Sequence, residues 1–384
     1  MKKVTRRDAI KLLAAAGAAV SSGCVRRSES SEETLVSATD APPDPGPDPV
    51  LEAVPLPAAG PWPTRDPFLF CVHHNDAYPR GNGKLGPDAS LGGRVLGQDF
   101  ANRDGWNMYH GQAVPGFPRH PHRGFETVTV VNRGLIDHAD SLGCAARYGD
   151  GDVQWLTAGD GINHAEMFPL LATDADNPMS FFQIWLNLPG VRKRVPPEFK
   201  MFWSERLPVF ASQDSSGRGV RVRIIAGELE GRQALAPPRN SWAAEADNAV
   251  AIWWITLDPG AAWTIPAAGP GVHRDAYLVT GGELTIAGTT RESGHRLTLQ
   301  SDLPATLQAG HSSAGILLLQ GKPIGEPVAQ HGPFVMNTRA EIRQAIHDYQ
   351  RTQFGGWPWP SDEPTLGLDG RRFARRGDAI EKPS

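Results

Sequence analysis

Apolar residues along this chain come in short runs, most of them alternating with polar ones and closed by glycine or proline. Residues 126–131 read Glu-Thr-Val-Thr-Val-Val and residues 181–188 read Phe-Phe-Gln-Ile-Trp-Leu-Asn-Leu, with comparable runs at 220–225, 249–255, 276–286 and 314–319. Alternation puts successive side chains on opposite faces of a strand, and runs this short, bounded by turn residues, predict an all-β protein of sandwiches or barrels. One segment departs from that period. Ile342, Ala345, Ile346 and Tyr349 recur at helical spacing behind Thr338 and Glu341, which form a capping box, so one amphipathic α-helix is expected near the C-terminus.

The strand pattern occurs twice, and Asn132-Arg133-Gly134-Leu135 is paralleled by Thr280-Gly281-Gly282-Glu283-Leu284, which suggests an internal duplication. The reading divides the chain into a leader (1–24), a Pro/Ala-rich tether (25–63), a first β-domain (64–200), a second (201–336) and a helix with a tail (337–384). Residues 77–116, rich in Gly, Asn and Asp and carrying His110, read as a long binding loop over the mouth of the first domain. The basic stretch with Arg192, Lys193, Arg194 and Lys200 reads as a solvated connector, and the cluster at 371–376 as a solvated tail.

Arg6 and Arg7 precede an apolar run from Leu12 to Val20 that is far shorter than the roughly 20 residues a membrane span needs. This is the pattern of a twin-arginine export signal. Gly23-Cys24 resembles a lipoprotein cleavage site, making Cys24 a candidate for lipidation and a membrane tether. An exported protein, periplasmic or held at the cell envelope, is expected, and a monomer. The proline-rich stretch that follows cannot bury enough apolar surface to order itself.

A net charge of −4 provides no basic field for neutralising phosphates, so no nucleic-acid partner is expected. Cys24, Cys71 and Cys144 are too few and too scattered for a disulfide framework, and Cys71 and Cys144 read as buried free thiols.

The candidate chemistry sits between residues 116 and 166. His120 and His122 lie two apart, as do His164 and Glu166, so on extended strands each pair points one way and forms a clamp. If the two strands face each other, three imidazoles and one carboxylate converge and leave about two positions of an octahedron open. That donor set suits iron, manganese, nickel, copper or zinc, with Fe(II) favoured. His73 and His74 are adjacent and cannot share one metal, and His273, His295 and His311 stand in no such pair, so the second domain reads as metal-free.

Three blocks carry a family resemblance: His-Pro-His-Arg-Gly-Phe-Glu-Thr-Val-Thr at 120–129, Gly-Asp-Val-Gln-Trp-Leu-Thr-Ala-Gly-Asp-Gly-Ile-Asn-His-Ala-Glu-Met at 151–167, and Gly-Glu-Pro-Val-Ala-Gln-His-Gly-Pro-Phe-Val-Met-Asn at 325–337. With them the chain resembles the pirin family of the cupin superfamily over roughly residues 66 to 355. The resemblance implies a bicupin, two jelly-roll-type β-barrels face to face, with Fe(II) in the first on His120, His122, His164 and Glu166. Glu126 stands where many other cupins draw their carboxylate and competes with Glu166 for that role. The resemblance further implies activity of the quercetin 2,3-dioxygenase type on dioxygen and a flavonol or similar small aromatic substrate, with Glu166 as general base. A non-catalytic redox-sensing module that docks a partner protein, or a small-ligand-binding cupin, are the alternatives.

Overall fold

A computed structural model describes residues 47–383; the leader, Cys24 and the greater part of the tether lie outside the described residues. The first domain is built from two antiparallel sheets. One holds five strands in the order Glu198–Phe202, Val153–Thr157, Phe125–Arg133, Asn177–Asn187 and Phe68–Tyr78. The other holds six, in the order Ala379–Glu381, Phe373–Arg376, Ala145–Gly149, Leu135–Asp140, Ile162–Met167 and Gly116–His122. The second domain sets a seven-stranded sheet against a four-stranded one. The ladders of each pair remain separate, so both domains are open jelly-roll-like sandwiches and not the closed barrels expected.

Each sandwich fills its interior with the inward face of its strands, and the outward face of one sheet in each does a second job. Val128, Val130, Phe182 and Ile184 of the five-stranded sheet meet Ile225, Ile252, Tyr277, Leu317 and Leu319 of the seven-stranded one. This explains why these central strands are apolar on both faces: one face fills a sandwich and the other joins the domains.

The C-terminal helix, Arg339–Thr352, starts as the capping box requires. Thr338 Oγ1 accepts from the Glu341 backbone N–H (3.2 Å), and Glu341 Oε2 accepts from the Asn337 N–H (3.1 Å). Ile342 and Ala345 are buried against Phe334 and Met336. Among the described residues, no helix is long and apolar enough to cross a membrane.

Three expectations change. Val50–Pro55, assigned to the tether, is a strand that pairs with His295–Leu299 at the edge of the seven-stranded sheet. The tail is not merely solvated: Phe373–Arg376 extends the six-stranded sheet, Arg372 donates to Asp152 (2.7 Å), and buried Arg147 donates to the Gly367 carbonyl (2.8 Å). Lys193, in the supposed connector, is 1% exposed, and its ammonium donates to Gly124 O (2.8 Å) and Asn187 Oδ1 (2.6 Å). Charge alone misled in the last two cases, because a lysine or arginine satisfied by carbonyls can be buried.

Candidate metal centre

Strand parity decides what faces the centre of the first sandwich. On Phe125–Arg133, Val128 and Val130 face the second domain, so Glu126 points there too, whereas Thr127, Thr129 and Val131 point inward. On Asn177–Asn187, Phe182 and Ile184 face the second domain and Phe181, Gln183 and Trp185 point inward. On Ile162–Met167 the inward residues are Ile162, His164 and Glu166.

The strand Gly116–His122 reaches the same interior through an irregularity. Phe117 lies opposite Glu166, so a regular ladder would set Arg119 opposite His164; one extra residue between Phe117 and His120 brings His120 there instead. Without that bulge the first clamp would face outward.

The result is three imidazoles with one ring nitrogen from each of His120, His122 and His164 lying within 4.8 Å of one another. His122 and His164 are buried, and His120 is half-buried on the solvent side. His120 Nδ1 lies 2.8 Å from the Pro118 carbonyl, which can only accept, so Nδ1 carries the proton and Nε2 keeps its lone pair. His122 Nδ1 and both ring nitrogens of His164 are buried without a hydrogen-bond partner among the described residues. Burial drives the His120 pKa down to about 4 and those of His122 and His164 well below the usual range, so all three rings are neutral at pH 7. Neutral, buried imidazoles with unused nitrogens are costly on their own and are the donor set that a transition-metal ion compensates. The three histidines therefore fit a metal ion.

Glu166 flanks the cluster, with Oε2 4.0 Å from His164 Nε2. Its carboxylate accepts from the Gln183 amide (2.7 Å) at Oε2 and the Thr129 hydroxyl (3.2 Å) at Oε1. Burial raises its pKa, while His138 and these hydrogen bonds oppose the shift. Glu126 is placed differently. Its two oxygens accept from Thr157 (2.6 Å) and from Ser241 of the second domain (2.5 Å), on the face of the sheet turned away from the histidines.

Four other histidines have their own partners. His73 lies 3.0 Å from Ser180 Oγ and His74 2.9 Å from the Tyr109 hydroxyl. From the 77–116 segment, Tyr109 and His110 lie against Phe117, whose ring centroid is 6.4 Å from that of His120, so this segment borders the histidine cluster. His273 contacts the Asp66 carbonyl (2.6 Å) and His295 the Glu292 carbonyl (3.1 Å).

Sequence reasoning missed His138, fully buried opposite Glu166 in the ladder, its ring centroid 5.5 Å from that of His164 and its Nε2 3.1 Å from Asp140 Oδ2. The signal was available, since His138 and Asp140 also alternate on one strand. Thr129 and Gln183 were likewise visible as polar residues at inward positions of otherwise apolar strands.

Known proteins resemble the chain over both domains. The Pirin family profile matches residues 94–186, and the profile for the Pirin C-terminal cupin domain matches residues 252–355. A Pirin-like protein of Caulobacter vibrioides is 36% identical over 269 residues, covering 70% of this chain and 90% of that protein. Pirin of Homo sapiens is 34% identical over 256 residues, 65% and 81% of the two chains. The crystal structure of quercetin 2,3-dioxygenase from Acinetobacter baumannii superposes with a TM-score of 0.63 at 25% identity, covering 80% of this chain and 99% of that one.

Proposed function

The chain belongs to the pirin family of the cupin superfamily, and from that premise we propose that it is an Fe(II)-dependent dioxygenase of the quercetin 2,3-dioxygenase type, acting on a flavonol or similar aromatic. The observation that carries the reading is the trio of neutral, inward imidazoles with unused ring nitrogens beside a hydrogen-bonded buried carboxylate. The quercetin dioxygenase of like fold supports the substrate class.

His120, His122 and His164 would hold the metal, with Glu166 as fourth ligand. Bound Fe(II) would supply Lewis-acid activation of the flavonol oxygens and electron exchange with dioxygen. The remaining work falls to protein groups. Gln183 and Thr129 fix the Glu166 carboxylate, and Glu166 takes up the proton of the substrate hydroxyl at Oε2. Phe117, half-buried beside His120, and Tyr109 behind it form an aromatic flank against which a planar ring can stack. The half-buried His120 marks the side from which substrate enters.

The test is to purify the protein without added metal, quantify bound transition metals, and follow dioxygen uptake with quercetin for wild type, His122→Ala and Glu166→Gln. Stoichiometric iron with uptake abolished in both variants is expected. Iron without uptake would favour a redox or ligand-binding module, and a protein without metal would overturn the proposal.

A further inference from the structure

Near the mouth of the histidine cluster one acceptor nitrogen is left unused. It belongs to His110, in the 77–116 segment, whose backbone is tied down at this point. Asp99 and Tyr109 exchange backbone hydrogen bonds (2.8 and 3.0 Å), and the His110 N–H donates to the Gly116 carbonyl (3.0 Å) at the start of the strand that carries His120. Tyr109 adopts φ +55°, a left-handed conformation that a bulky residue rarely takes and that its surroundings must hold. His110 is thereby fixed to the strand of the metal centre.

The ring is oriented as well. Its Nδ1 lies 2.6 Å from the Gly97 carbonyl, which can only accept, so Nδ1 carries the proton and Nε2 keeps its lone pair. Burial lowers the His110 pKa against the opposing effect of the Gly97 bond, and the ring is neutral at pH 7. Nε2 has no partner among the described residues and, unlike the ring nitrogens of His164, is not closed off from solvent. The adjacent Tyr109 hydroxyl is already engaged, donating to Asp76 Oδ2 (2.7 Å) and lying 2.9 Å from His74 Nδ1. Around His110 the surface is aromatic. Its ring centroid lies 5.0 Å from that of Phe100 and 5.7 Å from that of Phe117, and Phe117 is 6.4 Å from His120. Phe100 is exposed, while His110, Phe117 and His120 are half-buried, so the four rings form a partly open row running outward from the metal centre.

We propose that His110 is a specificity-determining residue, its Nε2 accepting a hydrogen bond from a phenolic hydroxyl on the part of the substrate that lies along Phe117 and Phe100. A neutral imidazole whose free nitrogen can only accept selects an O–H donor over an ether, a carbonyl or a carboxylate. The flanking rings favour a planar aromatic body beside it. The substrate class narrows accordingly, to aromatics that carry a metal-binding oxygen pair and a further hydroxyl on a ring reaching outward from it. This role of His110 rests on the flavonol-type site proposed above.

Isothermal titration of the iron-loaded protein without oxygen tests the two separately, because it reads binding and not turnover. Quercetin is compared with 3-hydroxyflavone, which keeps the metal-binding hydroxyl and carbonyl and lacks every other hydroxyl. Wild type should bind quercetin about tenfold more tightly, the worth of one well-placed hydrogen bond. His110→Phe, which keeps a ring in the row and removes the acceptor, should bring quercetin down to the affinity of 3-hydroxyflavone and leave the latter unchanged. His110→Ala makes the same deletion without the ring and serves should the phenylalanine variant fail to fold, while His110→Gln, whose amide oxygen still accepts, should retain part of the preference. A preference for quercetin that is absent from wild type, or undiminished in the phenylalanine and alanine variants, would overturn the role of His110 alone. Wild type binding neither flavonol would overturn the flavonol site itself, and this role with it.

Discussion

Replacing Glu126 by glutamine separates a structural carboxyl from a metal-binding one. Glu126 is wholly buried between the domains, has no cationic partner among the described residues, and is held by the hydroxyls of Thr157 and Ser241. Burial raises its pKa from 4.5 to about 7. At about 1.4 kcal/mol per tenfold change in proton affinity, that corresponds to about 3 kcal/mol. The sign follows from proton binding. Between pH 4.5 and about 7 the folded protein holds a proton that the unfolded chain has released, so stability falls as pH rises through that window and levels off above it. Glutamine keeps the shape and the two hydroxyl contacts but cannot ionise. Glu126→Gln should therefore match wild type below pH 4.5 and exceed it by up to about 3 kcal/mol above pH 7. Urea titrations on both sides of the window, for both proteins, measure this directly. A difference that does not change with pH would refute the burial argument. Loss of metal in Glu126→Gln would refute the placement of this carboxyl away from the centre.

Other consequences can be checked with single substitutions. Gln183→Leu removes the amide that fixes Glu166 Oε2 and leaves a buried carboxylate short of a donor, so dioxygen uptake should fall about tenfold or more while iron content, read by elemental analysis, stays near wild type. Gly124 has φ +86°, and an added Cβ would lie 1.9 Å from the Val335 carbonyl oxygen, so Gly124→Ala should cost at least about 2 kcal/mol by denaturant titration. Arg147→Met leaves Asp137 buried without its guanidinium (2.6 Å) and frees the tail from its anchor; a loss of about 3–5 kcal/mol is expected, with proteolysis starting between residues 357 and 372. Burial pushes the Cys71 thiol far up and that of Cys144 up to about 12, so neither should react with a thiol reagent at neutral pH until the protein is unfolded.

Local pattern by itself determined the all-β class, the duplicated strand grammar, the capped helix and the two histidine clamps, because each depends on residues two to four apart, where alternation or helical period fixes which side chains share a face. The family blocks at 120–129, 151–167 and 325–337 added the expectation of paired domains, which the interface of Val128, Val130, Phe182 and Ile184 with Ile225 and Leu317 displays. Tertiary structure decided what depends on partners far along the chain. It decided that Glu126 serves the domain interface, because its hydrogen-bond donors come from Thr157 and from Ser241, 115 residues away. It brought His120 rather than Arg119 opposite His164 through a bulge that alternation cannot announce. It also turned Val50–Pro55, Lys193 and the tail around Arg372, whose composition reads as solvated, into ordered parts of the fold, since a strand edge, a carbonyl or a carboxylate supplied from elsewhere can satisfy groups that short-range pattern leaves to water.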